Sequence, residues 1–198
     1  MKKMDPRVIR TRNTFKEEFI NLIKQKGYNS VTVSEVIESA GYNRATFYAH
    51  FKDKDHLRET LIHDELDGLE NAFRSPFEPT GYVNFEKMSV SSVKVFSYIK
   101  EHANFFDLLI EYENIPGLGD ALVYMIHQSF LNSIEFISPS IEEINEKQFQ
   151  IYRAYGIFGI IKEWVKNNYA TSVEEMSHQL ILIMKSSPVG AMAKKETK

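Results

Sequence analysis

Apolar residues recur at intervals of three and four along nearly the whole chain, and nowhere do they alternate as a half-buried strand requires. That periodicity leaves packed helices as the fold, and start and stop residues punctuate it. Asp5 precedes Pro6, a capping carboxylate followed by a ring that suits the first helical position. Val8, Phe15, Phe19, Leu22 and Ile23 then share one face, and Gly27 offers a stop. Thr32-Val33-Ser34-Glu35 has capping-box spacing, and the helix it opens is short, reaching about Ala40. Gly41-Tyr42 breaks it, Asn43 can cap the next helix, and Phe47 and Phe51 mark that helix's inner side.

Asp53 is the expected cap of a long fourth helix with Leu57, Leu61, Ile62, Leu66, Leu69 and Phe73 as its buried stripe. The run Ser75-Pro76-Phe77-Glu78-Pro79-Thr80-Gly81 reads as a linker. Further helices are expected near 84–101, 103–112, 118–137, 142–168 and 173–186, with breaks at Asn114-Ile115-Pro116-Gly117 and Ser138-Pro139. The expected fold is all-α, about nine helices: an N-terminal three-helix unit (1–52), a connecting helix (53–74), a larger bundle (75–187) and a frayed tail (188–198).

Charge divides along the same boundary. The 198 residues carry a net −3, but residues 1–60 hold 12 Lys+Arg against 8 Asp+Glu, and residues 61–198 hold 12 against 19. A basic head on an acidic body points toward nucleic acid, although a solvated basic face gives the same count. The absence of cysteine excludes disulfide scaffolds, thiolate metal sites and cysteine nucleophiles. Met1-Lys2-Lys3-Met4-Asp5-Pro6 has no apolar stretch behind it, unlike a signal peptide, and no window nears the roughly 18 apolar residues of a membrane span. The expectation is a cytoplasmic protein without membrane partners.

Residues 31–57 carry the sharpest functional signal. Helix, glycine turn, helix is the layout of a helix-turn-helix, whose second helix enters the DNA major groove. A structural helical hairpin has the same spacing. The second helix favours DNA: with Phe47 and Phe51 inward, the opposite side is Ala45, Thr46 and Ala49, flanked by Arg44, Tyr48 and His50. An idle exposed helix would carry Lys and Glu there. Small residues let the backbone approach a groove floor, where Arg44 can fork to guanine, Thr46 meet a thymine methyl and Tyr48 bond a phosphate. Helix starts at Thr32 and Asp53, the latter beside Lys52 and Lys54, can hold phosphates.

The pattern Thr32…Ala40-Gly41-x-x-x-x-Thr46-Phe47-Tyr48-x-His50-Phe51-x-x-Lys54-x-x-Leu57 closely resembles the TetR family of bacterial transcriptional regulators, over about residues 8–60. Asn43 stands where the family often has serine, and Ala45 where it often has glycine. The resemblance implies a homodimer on a palindromic double-stranded DNA operator, usually a repressor released by a small-molecule effector. It makes Asn43, Arg44, Ala45, Thr46, Tyr48 and His50 the groove-side set, with Thr32, Ser34 and Lys54 on phosphates. The run Ile157-Phe158-Gly159-Ile160-Ile161-Lys162-Glu163-Trp164 and Thr171-Ser172-Val173-Glu174-Glu175 is similar to one C-terminal subgroup of that family. Some of its members are activators or co-regulators. An interaction module whose N-terminal hairpin is merely structural is the remaining alternative.

In the bundle, Ala154, Gly156 and Gly159 suit close helix approach, within the chain or to a second copy. The family dimerises through its last two helices, so Gly156, Gly159, Ile160, Trp164, Leu180 and Met184 become the expected interface. Candidate effector contacts are His102, Phe105, Phe106, Tyr112, His127, Phe130, Tyr152 and Tyr155, although aromatics at helical spacing are more often core. His63, Glu65 and Asp67 splay around a helix, so no metal site is expected. Nor is a cofactor. Gly117-x-Gly119 lacks the strand and third glycine of a dinucleotide loop, and no nucleophile elbow or zinc-protease motif occurs, so the chain does not read as an enzyme.

Overall fold

A computed structural model describes residues 5–76, 84–110, 115–133 and 145–186. Among these residues there are nine α-helices and no strand: α1 (Pro6–Lys26), α2 (Val33–Ser39), α3 (Arg44–His50), α4 (Lys54–Arg74), α5 (Val95–Glu101), α6 (Ala103–Phe106), α7 (Leu118–Ser133), α8 (Glu146–Lys166) and α9 (Val173–Lys185). The expected all-α architecture is the one observed.

Each N-terminal helix starts on the residue that its sequence offers. The Asp5 carboxylate accepts from the Arg7 N–H at 2.8 Å, and Asn43 and Asp53 cap α3 and α4 in the same way. Thr32 and Glu35 complete the capping box: the Thr32 hydroxyl accepts from the Glu35 N–H and the Glu35 carboxylate accepts from the Thr32 N–H. Between α2 and α3 the chain passes through Gly41 at φ +69°, a left-handed conformation that a side chain would strain.

Phe15, Phe19, Phe47, Phe51 and Leu57 are all buried, so α1, α3 and the start of α4 close one small aromatic core. Phe15 meets Phe47 edge-on at 5.3 Å, and Phe47 meets Phe51 at 5.6 Å. That core is continuous with the bundle's, because α4 contributes Leu61, Leu66, Leu69 and Phe73 beyond the head. Here α7 packs on α4 and α8, and α5 packs on α4 and α9. Tyr98 of α5 lies so close to α4 that a Cβ on Gly68 would meet its hydroxyl at 2.2 Å.

The bundle departs from the expected boundaries at two points. Residues 84–101 are not one helix: two 3-10 turns, Phe85–Lys87 and Val90–Ser92, precede α5. Side chains capture the backbone there, with the Glu86 N–H bonded to Asn84 Oδ1 at 2.9 Å and the Ser92 hydroxyl to the Ser89 carbonyl at 2.6 Å. The helix expected over 103–112 is only one turn long, passing into a 3-10 turn at Asp107–Leu109. Most of the expected linker, the 138–139 break and the tail lie outside the described residues.

Candidate nucleic-acid interface

The outward side of α3 is assembled from small residues and two restrained polar ones. Asn43, Arg44, Ala45, Tyr48 and Ala49 are exposed, whereas Thr46 and His50 are half-buried. Arg44 does not hang free: its guanidinium donates to the Ser34 hydroxyl of α2 at 3.2 Å. Asn43 Oδ1 accepts from both the Thr46 N–H (2.8 Å) and the Thr46 hydroxyl (3.0 Å), so the cap also orients Thr46. Tyr48 is 51% exposed and its ring stands perpendicular to that of Phe47, the packing that holds it outward.

Thr32 is exposed, but its hydroxyl belongs to the capping box and also donates to Glu35 at 2.7 Å. Lys26 bonds the same carboxylate, and these partners hold the Glu35 carboxyl down at about 2.

Lys54 has an intramolecular task that its sequence position did not disclose. Its ammonium donates to the carbonyls of Tyr28 and Val31, both at 3.0 Å, and sits 4.4 Å from the centre of the Tyr28 ring. Tyr28 in turn donates its hydroxyl to Asp55, while Arg58 reaches both groups. Burial, then Asp55, pushes the Tyr28 hydroxyl up to about 12. This Tyr28–Lys54–Asp55–Arg58 cluster pins the α1–α2 turn to α4, and sequence reasoning missed it. The signal available was Lys54, Asp55 and Arg58 sharing the first turns of α4, without any indication of which turn they would meet.

The residues proposed for the effector do not converge. Phe105 and Phe106 are core, and Tyr112 lies outside the described residues. Tyr152 and Tyr155 are 75% and 60% exposed on the outer side of α8, away from any interior space. His102 pairs with Glu65 of α4 at 2.6 Å and stacks on Tyr98. His127 keeps a buried Nε2 without a hydrogen-bond partner. Of the described candidates, only Phe130 borders an apolar cavity inside the bundle, a space of about 40 Å³ shared with Phe73, Val95, Ile157, Leu180 and Met184.

The expected dimer residues also divide. Trp164 and Leu180 are buried in their own chain: the Trp164 indole donates to the Thr171 carbonyl at 2.8 Å and its ring meets Phe96 and Tyr169 edge-on. Met184 is half-buried on that cavity, its sulfur 3.0 Å from the Arg153 guanidinium, and Ile160 is half-buried. The division follows from helical phase, because Ala154, Ile157, Ile161, Trp164 and Val165 form the inward stripe of α8. The outward stripe is Tyr152, Tyr155, Gly156 and Gly159, and a Cβ on either glycine would meet nothing within 4 Å.

A helical protein that presents a small-residue helix beside a basic head is of the DNA-reading class, and comparison with known proteins places it further. Residues 20–61 match the description "Bacterial regulatory proteins, tetR family", and residues 86–186 match "Transcriptional regulator C-terminal region". The chain belongs to the TetR family, whose members are DNA-binding transcriptional regulators and not enzymes. A curated relative, the uncharacterized HTH-type transcriptional regulator YxbF of Bacillus subtilis (strain 168), is 24% identical over 171 residues. That match takes in 83% of this chain but 42% of the relative, so the chain spans less than half its length. A TetR transcriptional regulator from Streptococcus agalactiae 2603V superposes with a TM-score of 0.59 at 19% identity, covering 89% of this chain and 94% of that one. The transcriptional regulator FadR from Bacillus subtilis, solved in complex with stearoyl-CoA, gives 0.56 at 15% identity, covering 86% and 96%. Among the described residues, no helix is long and apolar enough to cross a membrane.

Proposed function

We propose that this chain acts in the cytoplasm as a homodimeric repressor that reads a palindromic operator and is released when a small molecule enters its bundle. The observation that carries the reading is the outward side of α3, where Ala45 and Ala49 leave the backbone accessible while Ser34 holds Arg44 extended beside them. In this reading Asn43, Arg44, Ala45, Thr46, Tyr48 and His50 face the groove. Thr32 and Ser34 contact phosphates, and Lys54 acts on the backbone chiefly by fixing the α1–α2 turn. Residues 1–52 form the reading head, 53–74 connect it, and 75–187 dimerise and hold the effector, followed by a tail from 188.

The effector's seat is the apolar cavity at Phe130. At about 40 Å³ it has room for little more than solvent, so an effector has to part α4, α5 and α9 on entry. Because α4 starts in the head and ends at this cavity, parting it moves the head. The structurally similar FadR, solved in complex with stearoyl-CoA, supports a small-molecule effector.

Gel mobility shift on duplexes selected from a random pool tests the reading. Binding to a palindrome should fall by roughly three to five powers of ten between 50 and 200 mM salt, as six to ten phosphate contacts require. Absence of a shift at low salt would instead support an interaction module. In vitro transcription from a promoter carrying the selected site should decrease with protein; an increase would identify an activator.

A further inference from the structure

We propose that Asp107 is a positioning residue for DNA reading: it ties the head to the turn between α8 and α9 and so sets the distance between the two recognition helices of a dimer. The inference rests on the dimeric operator reading above, but concerns a residue far from α3. Asp107 opens the 3-10 turn that follows α6. One of its carboxylate oxygens accepts from Lys24 of α1 at 2.7 Å, and Lys24 also donates to Asn104 at 2.8 Å. The other accepts from the Tyr169 hydroxyl at 2.8 Å, which lies 3.3 Å from the Ala103 carbonyl as well. A single side chain thus joins α1, α6 and the α8–α9 turn.

That turn is held in a conformation it would not choose alone. Asn168 and Tyr169 have φ of +52° and +56°, the left-handed region that asparagine tolerates and tyrosine avoids. Tyr169 is kept there by its bonds to Asp107 and Ala103, by the edge of Trp164 at 5.0 Å and by the Lys100 ammonium 4.2 Å above its ring. Burial, then Asp107, raises the Tyr169 hydroxyl, so it remains a donor. The turn joins α8 and α9, the last two helices, through which the dimer is expected to form.

The head has a second attachment, the shared helix α4. One attachment leaves a hinge, whereas two fix an orientation. A palindrome read by two heads demands that orientation, because half-sites lie roughly one helical turn apart. Inserting one base pair moves a half-site by roughly 3.4 Å and about a tenth of a turn. A rigid pair of heads rejects that change, and a hinged pair follows it.

The full-length chain is tested on three duplexes: its selected palindrome, the same palindrome with one base pair inserted between half-sites, and a single half-site. Lys24→Gln, Asp107→Asn and Tyr169→Phe should each cut the preference for native spacing by about tenfold, the scale of a hydrogen bond to a charged group, with half-site affinity held within about twofold. Half-site affinity is the readout a merely structural role would move together with the palindrome's, so a loss confined to spacing preference marks positioning. Should Asp107→Asn fail to fold, Lys24→Gln carries the test at a side chain one-third exposed. Unchanged spacing preference in Lys24→Gln and Tyr169→Phe overturns the inference, as does a loss matched by an equal loss on the half-site. If the wild-type chain binds no palindrome, the repressor reading itself falls. If it binds with spacing preference that the variants share, only the role of Asp107 falls.

Discussion

At the scale of single residues, the structure separates two cations that the sequence assigns to DNA, Arg44 to a base edge and Lys54 to a phosphate. Arg44 reaches out from α3 with one nitrogen on Ser34, leaving the rest of its fork for a base edge. Arg44→Ala should cost about 1–3 kcal/mol on the selected operator and flatten preference at one base position, as read by binding to single-base variants. Uniform weakening across all variants would contradict a base contact. Lys54 is turned inward to two carbonyls and a ring. Lys54→Met should therefore lower the melting temperature of the protein without DNA, since two carbonyls of the α1–α2 turn lose a charged donor, at about 1.5–3 kcal/mol per bond before discounting for its partial exposure. An unchanged melting temperature with weaker DNA binding would assign Lys54 to phosphate alone.

At the scale of elements, local rules account for what was legible. The caps Asp5, Thr32, Asn43 and Asp53 announced α1 to α4 because each cap and its partner lie within three residues. The long helices α7 to α9 were legible from their stripes. What failed was the phase of each stripe against its neighbours: Trp164 and Tyr152 belong to the same helix, and only packing decides which faces inward. Long-range polar pairs such as Lys54 with Tyr28 leave no periodic trace, so that part of the head was illegible. The capping box of α2 yields a pH prediction. The Glu35 carboxyl is held at about 2 against an ordinary 4.5, by Lys26 first and Thr32 next. Its folded value lies below its unfolded one, so its contribution is complete above pH 4.5 and is lost as pH falls toward 2. Glu35→Gln should lower the melting temperature at pH 7, and the gap to wild type should close by pH 2, followed by circular dichroism at 222 nm. A gap independent of pH would show that Glu35 acts through packing.

At the scale of the whole molecule, the described part of the bundle exposes its large apolar side chains on its last three helices. Tyr124 and Leu131 of α7, Ile151, Tyr152 and Tyr155 of α8, and Leu182 and Ile183 of α9 are each at least 38% exposed. Monomeric proteins seldom leave large apolar patches open, so a second copy is the partner we propose for these side chains, and the bare backbone at Gly156 and Gly159 admits a second helix at short range. In the proposed dimer the bodies that meet are acidic, 12 Lys+Arg against 19 Asp+Glu in residues 61–198, so two copies repel before they touch. Salt screens that repulsion and leaves apolar burial intact. Dimerisation should therefore tighten from 50 to 500 mM salt while operator binding weakens, two opposite responses from one chain. Sedimentation velocity across that range reads the first and mobility shift the second. Tyr155→Glu places a charge at the centre of the outward stripe of α8, where the lone chain leaves it in solvent, so helix content should hold while the dimer dissociates by about a hundredfold or more. A Tyr155→Glu chain that sediments as an intact dimer would move the interface off this side of α8.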